Sequence, residues 1–346
     1  MYNCIKLLVF KTDPELAHKL AIKTIKYNFL IDRSVKPEWK PVLSQKYFDL
    51  DFNSPVGLAA GFDKNGETTH SIHMNGFGFA EIGTVTPKPQ SGNPKPRLFR
   101  LIEDESLINR LGFNNNGIRA TIDHIKSQSH KIPIGINIGP NKNSDNFIND
   151  YLQMLDLIYQ NPSLFNYITI NISSPNTPGL RDINLKDLLE QIESRLNTKT
   201  TKIPFFVKIS PDMKENDLTD ALQAILNSNV NGIIVSNTTI DRENIISKNH
   251  VEQGGLSGKK LFDKSTSLLS EVYKITQKKV LLIGVGGISN AHDVITKIRH
   301  GASLVQLYTG MIYHGLFLAD KINNDLVQIL KKDGVKNISE LIGISS

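Results

Sequence analysis

The chain has 346 residues, 39% of them hydrophobic and 21% charged, which is ample for one large core or two ordinary domains. Its single cysteine, Cys4, excludes an intramolecular disulfide framework and any cysteine-ligated zinc or iron–sulfur site. The formal net charge of +6 leaves nucleic acid, anionic ligands and a membrane surface open as partners.

No run reaches the roughly 18 apolar residues of a spanning helix. The first apolar stretch, Leu7–Phe10, stops at Lys11 and is too short for a signal peptide. Asp13-Pro14-Glu15 predicts a helix start, with Asp13 as N-cap, Pro14 at the first helical position and Glu15 in the first turn. Leu16, Ala17, Leu20, Ala21 and Ile25 then form one apolar stripe, while Lys19, Lys23 and Lys26 fall off it. Residues 1–33 carry Lys6, Lys11, Lys19, Lys23, Lys26 and Arg33 against Asp13, Glu15 and Asp32, so half of the net charge lies in a tenth of the chain. An amphipathic helix packed on a domain and one lying on a bilayer both fit this segment.

Short β-branched runs then alternate with helical patterns. The predicted strands are Pro55–Ala60, Phe79–Thr86, Ile132–Ile138, Tyr167–Ile172, Phe205–Ile209, Gly232–Ser236, Val280–Val285 and Leu304–Tyr308, with amphipathic helices such as Leu185–Leu196 and Asp217–Leu226 between them. Eight buried strands in this alternation favour a (β/α)8 TIM barrel with a small N-terminal helical appendage over an open doubly wound sheet. Gly284-Val285-Gly286-Gly287 lacks the full dinucleotide fingerprint and comes late in the chain.

In a barrel all carboxyl ends of the strands converge on one face. The first strand runs into Ala59-Ala60-Gly61-Phe62-Asp63-Lys64-Asn65-Gly66, the second ends at Gly83-Thr84 and the third at Asn137. The fourth is the most informative: Tyr167–Ile170 leads into Asn171-Ile172-Ser173-Ser174-Pro175-Asn176-Thr177, two amides, hydroxyls and a proline that holds Ser174 extended. Asn171 and Asn176 offer donors and acceptors suited to a planar ligand edged with carbonyl and N–H groups. The fifth strand carries Lys208 inside an apolar run, the place for a lysine facing an anion or an electron-rich ring, or making an ion pair across the barrel mouth. The last three end in Ser236-Asn237-Thr238-Thr239, Gly286-Gly287 and Tyr308-Thr309-Gly310. Glycines there admit a phosphate to backbone N–H groups beside a helix N-terminus. A phosphate cradle, a lysine, a row of amides and a serine suit a flavin mononucleotide (FMN) with a small polar substrate.

With these motifs assembled, the chain closely resembles the class 2 dihydroorotate dehydrogenases, the membrane-associated, quinone-dependent enzymes of pyrimidine synthesis. The resemblance runs from Asp13-Pro14-Glu15-Leu16-Ala17-His18 to Tyr308-Thr309-Gly310. It includes Val56 through Lys64, Glu81 through Pro87, Pro96 through Leu101, Asn109 through Asn115, Asn171 through Arg181, and Gly254 through Gly258. Ser236 departs from it, since relatives often carry threonine there.

The resemblance implies FMN contacts from Ala60, Gly61, Phe62, Asp63, Lys64, Thr84, Asn137, Asn171, Lys208, Ser236, Gly258, Gly287, Tyr308 and Thr309. It implies that dihydroorotate is held by Lys64, Asn109, Arg110, Leu111, Gly112, Phe113, Asn171, Asn176, Asn237 and Thr238. Ser174 would be the catalytic base, with Thr177 or a water relaying its proton. The related soluble class uses cysteine as base, which Cys4, far outside the barrel motifs, cannot supply. His18, Arg100 and Tyr308 match positions lining the quinone tunnel. The implied division is residues 1–35 as a helical segment for membrane contact and quinone access, and 36–346 as the catalytic barrel. Peripheral attachment to the cytoplasmic side of the cell membrane follows, with no metal and no nucleic-acid partner. Another FMN barrel, a tRNA dihydrouridine synthase, would need an active-site cysteine and a nucleic-acid-binding extension; a non-enzymatic flavin module would not need Ser174, Lys64 and the asparagines together.

Overall fold

The computed structural model describes residues 2–27 and 36–346. The expected segment boundary at residue 35, with Asp32 and Arg33, lies outside the described residues, as does the Cys4 side chain. Eight parallel strands close a barrel: β1 (Val56–Leu58), β2 (Phe79–Val85), β3 (Ile134–Ile138), β4 (Tyr167–Asn171), β5 (Phe205–Ile209), β6 (Gly232–Val235), β7 (Leu281–Val285) and β8 (Leu304–Leu307). They pair in chain order, and β8 pairs with β1 through Val305 opposite Val56. The (β/α)8 expectation holds, and each predicted strand coincides with an observed one to within a few residues. Between β1 and β2 the described residues hold only a 3₁₀ turn, Ile72–Asn75; the other intervals carry α-helices, including Leu185–Asn197 and Glu215–Leu226.

The amino end of the barrel is stopped by aromatic rings. Phe79, Tyr167 and Phe206 point inward at one level and meet edge to face, with centroids 6.5 Å and 5.3 Å apart, and Phe52 closes on Phe79 at 5.4 Å. Space for these rings comes from Gly57, Gly135 and Gly232 on neighbouring strands, where an added Cβ would collide with Phe79, Tyr167 and Phe206 respectively. A hairpin, Gln45–Tyr47 with Leu50–Phe52, supplies Phe52 and covers that end. The polar residues of the strands are thereby left for the opposite, carboxyl end.

Over that end lies a three-stranded antiparallel sheet, Leu98–Leu101, Ser106–Asn109 and Gly255–Gly258. Helix α2 (Pro14–Lys26) leans against it, and α1 (Tyr2–Lys11) packs on the helix Thr309–His314. The α2 start is as predicted: the Asp13 side chain accepts from Leu16 N at 2.9 Å, and Pro14 opens the helix. Glu15 reaches across to Arg97 and accepts from Nη2 at 2.8 Å and Nε at 3.1 Å, and the pair is almost wholly buried. The apolar stripe of α2 divides between surroundings. Ile25, with Ile22, is buried in the core, Ala17, Leu20 and Ala21 line a cavity, and Leu16 and Leu20 are half exposed.

Candidate active site

A cleft with about 1050 Å³ of open space enters the barrel at the carboxyl ends of its strands. Its floor is a hydrogen-bonded network rooted in Glu81, a fully buried carboxylate on β2. Glu81 accepts from Asn137 Nδ2 at 2.8 Å, Thr169 Oγ1 at 3.0 Å and Gln306 Nε2 at 3.0 Å. Thr84 Oγ1 donates to Asn137 Oδ1 at 2.6 Å, and Asn171 Nδ2 donates to Thr84 Oγ1 at 2.9 Å. Asn237 Nδ2 continues the chain to Ser173 Oγ at 2.9 Å and Asn171 Oδ1 at 3.2 Å. Every amide in this series has its orientation dictated by a neighbour, so the ends that face the cleft are preorganised.

Lys208 stands opposite Asn171 in the β4–β5 register and lines the cleft. Among the described residues its ammonium makes no hydrogen bond and no ion pair, so the expected alternative of an ion pair across the mouth does not apply. Burial pulls its pKa below the usual lysine value, and the Glu81 charge opposes that pull. Gln306 Oε1, also buried and on a residue that lines the cleft, has no hydrogen-bond partner among the described residues. A cation and an acceptor without partners, in a network otherwise satisfied, mark surface shaped for a polar ligand. At Gly61, with φ +101°, an added Cβ would meet only the Tyr308 ring at 3.8 Å and would otherwise project into open cleft.

On the outer rim, Lys64 donates to Gly61 O at 2.8 Å, and its pKa is pushed down to about 8, by burial first and the Arg97 charge second. Ser174 is buried, and its Oγ accepts from Asn176 N at 3.3 Å; Asn176 Nδ2 donates to Asn109 Oδ1 at 3.3 Å. No hydrogen bond joins Ser174 to Thr177 among the described residues, so the expected direct relay is not formed here.

The cleft gathers most of the residues singled out in the sequence: Ala60, Gly61, Lys64, Thr84, Asn109, Leu111, Gly112, Phe113, Asn171, Ser174, Asn176, Lys208, Ser236, Asn237, Thr238, Gly258, Gly287, Tyr308 and Thr309 all line it. Four lie off its wall. Asn137 orients Thr84 from below. Phe62 faces the neighbouring apolar cavity. Asp63 turns away to cap the backbone N–H groups of Glu67 and Thr68 at 2.8 Å and 2.7 Å. Arg110 pairs with Glu252 at 2.6 Å and stacks on Phe99 at 4.4 Å. Sequence reasoning overlooked Glu81 and Gln306. Both interrupt apolar strand runs as Lys208 does, and the same signal would have found them.

A second, largely apolar cavity of about 2310 Å³ open space lies between α1, α2 and the barrel. It shares Leu98, Leu107 and Tyr308 with the first cleft. His18 and Arg100 line it with Tyr308. Tyr308 OH lies 3.2 Å from His18 Nδ1; burial and the Lys64 charge push the His18 pKa down to about 3, so the ring is neutral. Arg100 donates to Thr12 O at 2.8 Å and ties the α1–α2 turn to the sheet.

A closed parallel barrel with a polar, lysine-bearing cleft at its carboxyl end and an apolar chamber beside it is the architecture of a (β/α)8 protein whose site takes a polar ligand. The family model for dihydroorotate dehydrogenase matches residues 42–330. The "dihydroorotate dehydrogenase (quinone)" of Rhodopseudomonas palustris is 43% identical over 341 residues, covering 96% of this chain and 92% of the relative. That of Brucella ovis is 44% identical over 343 residues, covering 96% and 93%. Among solved structures, the ligand-free DHODH of Eimeria tenella superposes with TM-score 0.88 at 37% identity, covering 96% and 99% of the two chains. Its complex with ferulenol gives TM-score 0.85 at 38% identity, covering 96% and 95%. The chain belongs to the dihydroorotate dehydrogenase family, in its quinone-dependent class 2 branch.

Proposed function

We propose that the protein oxidises (S)-dihydroorotate to orotate in the synthesis of pyrimidines, with FMN as prosthetic group and a membrane quinone as electron acceptor. The observation that carries the reading is the convergence of Ser174, Lys64 and the asparagines on the same cleft as Lys208 and the glycine turns, with the apolar chamber one wall away.

The residues fit the cofactor. The bare Lys208 ammonium and the unpartnered Gln306 Oε1 are complementary to a polar ring system, and Gly61 leaves room where a side chain would intrude. Ala60, Gly61, Thr84, Asn171, Lys208 and Ser236 would hold the ring, and Gly258, Gly287, Tyr308 and Thr309 the ribityl phosphate end, with Asn137 supporting Thr84. When bound, FMN would supply the hydride acceptor for the substrate and the electron carrier to the quinone.

The chain's own groups do the rest. The Lys64 ammonium meets the substrate carboxylate, while Asn109, Asn171, Asn176, Asn237 and Thr238 match its amide edges donor to acceptor. Leu111, Gly112 and Phe113 close over it and exclude water. Ser174 Oγ takes the proton from the ring carbon, and a water in place of the missing Thr177 contact carries it outward. Lys208 holds a positive charge where negative charge accumulates on reduction.

Residues 1–35 form the quinone-access segment of this reading, and 36–346 the catalytic domain. Leu7, Leu8, Leu16 and Leu20 expose 71%, 69%, 50% and 52% of their surface, among the lysines of α1 and α2. No helix among the described residues is long and apolar enough to cross a membrane. Apolar side chains ringed by lysines favour lying on an anionic bilayer, here the cytoplasmic face of the cell membrane.

Two measurements test this reading. Flavin released by heat from the purified chain runs as the mononucleotide; recovery of stoichiometric FAD, or of no flavin, contradicts it. Removal of residues 1–34 abolishes salt-sensitive sedimentation with anionic liposomes and lowers long-chain quinone turnover, while flavin reduction by dihydroorotate persists. A truncated chain that reduces such a quinone at the full rate refutes the membrane assignment.

A further inference from the structure

Lys297 is a charged side chain in the barrel wall that the reaction does not use. It lies on the helix Ala291–Arg299 and has no solvent exposure. Its Nζ donates to Ser265 Oγ at 2.6 Å and approaches Phe262 O at 3.4 Å, both neutral oxygens. Among the described residues no carboxylate lies within ion-pair distance of it; its remaining neighbour is the Phe262 ring, whose centroid lies 4.9 Å from Nζ. Burial pulls its pKa down to about 7, with Asp293 and Asp263 opposing the pull only from a distance. A lysine whose sole task was to brace two helices would be improved upon by an apolar side chain of similar length.

The surroundings indicate what the charge is for. Ser265 and Phe262 belong to the first turn of the helix Phe262–Thr276 and pack directly behind the cleft-lining Gly286 and Gly287. Ser265 Oγ lies 3.4 Å from Gly286 O, and a Cβ added at Gly287 would strike the Phe262 backbone. The ammonium therefore sits one layer behind the glycine turn assigned to phosphate, and no bulk water screens it.

We propose that Lys297 is a positioning residue for the cofactor's phosphate: a buried cation that lowers the free energy of an anion on the Gly286–Gly287 turn without touching it. This rests on the mononucleotide reading above. At pH 6, below the Lys297 pKa of about 7, the side chain is an ammonium, and one unit charge acting over roughly 6–12 Å at an effective dielectric of about 20 corresponds to about 10–100-fold in affinity.

The test uses the full-length, flavin-loaded chain at pH 6 and follows flavin release on dilution by fluorescence. Lys297→Met is expected to release FMN about 10–100-fold faster than wild type. Riboflavin, which has the same ring and no phosphate, should leave both chains at equal rates after exchange. Lys297→Gln, neutral but still able to donate to Ser265, should behave like the methionine variant and serves where methionine does not fold. FMN release at the wild-type rate, equal acceleration of FMN and riboflavin, or full rescue by glutamine overturns the assignment and leaves Lys297 a brace between helices. A wild-type chain that retains riboflavin as firmly as FMN, or holds neither, overturns the mononucleotide reading itself.

Discussion

Glu15 ties α2 to the barrel through Arg97, and on the proposed function its removal is expected to affect quinone turnover more than flavin reduction. Glu15→Ala deletes two charge-assisted hydrogen bonds to Arg97, at 2.8 Å and 3.1 Å, and a weaker pair with the exposed Lys95 at 3.4 Å. Arg97 keeps Ser91 O at 2.6 Å and Asn93 O at 3.0 Å, so it is not stranded, and the loss stays below that of a fully broken buried pair. About 2–3 kcal/mol is the expected cost, falling on the docking of α2 rather than on the barrel. At about 1.4 kcal/mol per decade, the undocked population rises roughly 30- to 140-fold. Hydrogen exchange should then quicken by that factor in the second half of α2, where Ile22 and Ile25 are buried. The barrel strands should exchange as before. KM for a long-chain quinone should rise, while flavin reduction by dihydroorotate changes by less than about threefold. The wild-type contribution is itself pH-dependent. Arg97 holds the Glu15 pKa below its ordinary value of 4.5, so this stabilisation is complete above that value and is lost as pH falls through the lower folded one. Unchanged exchange in α2, or equal damage to quinone and flavin half-reactions, would refute the reasoning.

Three further outcomes are expected. Ser174→Ala should retain flavin and bind orotate, yet slow flavin reduction about 10²–10⁴-fold in stopped flow, and Ser174→Cys should recover part of the rate; a wild-type rate in the alanine variant would assign the proton to another group. Lys208→Met removes an unpaired buried charge, so its unfolding temperature should match or exceed wild type in the flavin-free chain, while flavin reduction slows; a destabilised flavin-free chain would give Lys208 a structural partner. Lys64 is charged below about pH 8 and neutral above it, so kcat/KM for dihydroorotate should fall as pH rises through about 8; a profile flat to pH 10 would remove Lys64 from substrate binding.

The barrel was legible because each strand is a short apolar run stopped by polar residues, and Phe205–Ile209 has the same ends in sequence and structure. The cleft was legible because those stops converge on one face. What escaped depends on contacts between distant segments. Gly255-Leu256-Ser257-Gly258 has no strand signature of its own and becomes a strand only by pairing with Ser106–Asn109. The Glu15–Arg97 pair spans two segments whose meeting no local pattern encodes. The glycines at 57, 135 and 232 lie within predicted strands, but nothing local shows that they seat rings from adjacent strands. Asp63 and Arg110 lie within motifs that surround the site, yet their side chains turn to capping and to an ion pair. A motif identifies a backbone segment more reliably than it identifies which side chains face inward.

On the proposed function, dihydroorotate gives up its electrons in the polar cleft and a quinone collects them from the neighbouring apolar chamber. Anaerobic mixing of the purified, flavin-loaded chain with dihydroorotate, followed by separate additions of quinone, fumarate and NAD, tests it most directly. Dihydroorotate is expected to bleach the flavin absorbance, which returns with quinone but not with fumarate or NAD. Flavin that stays oxidised, or that is reoxidised by fumarate or NAD and not by quinone, would contradict the proposed function.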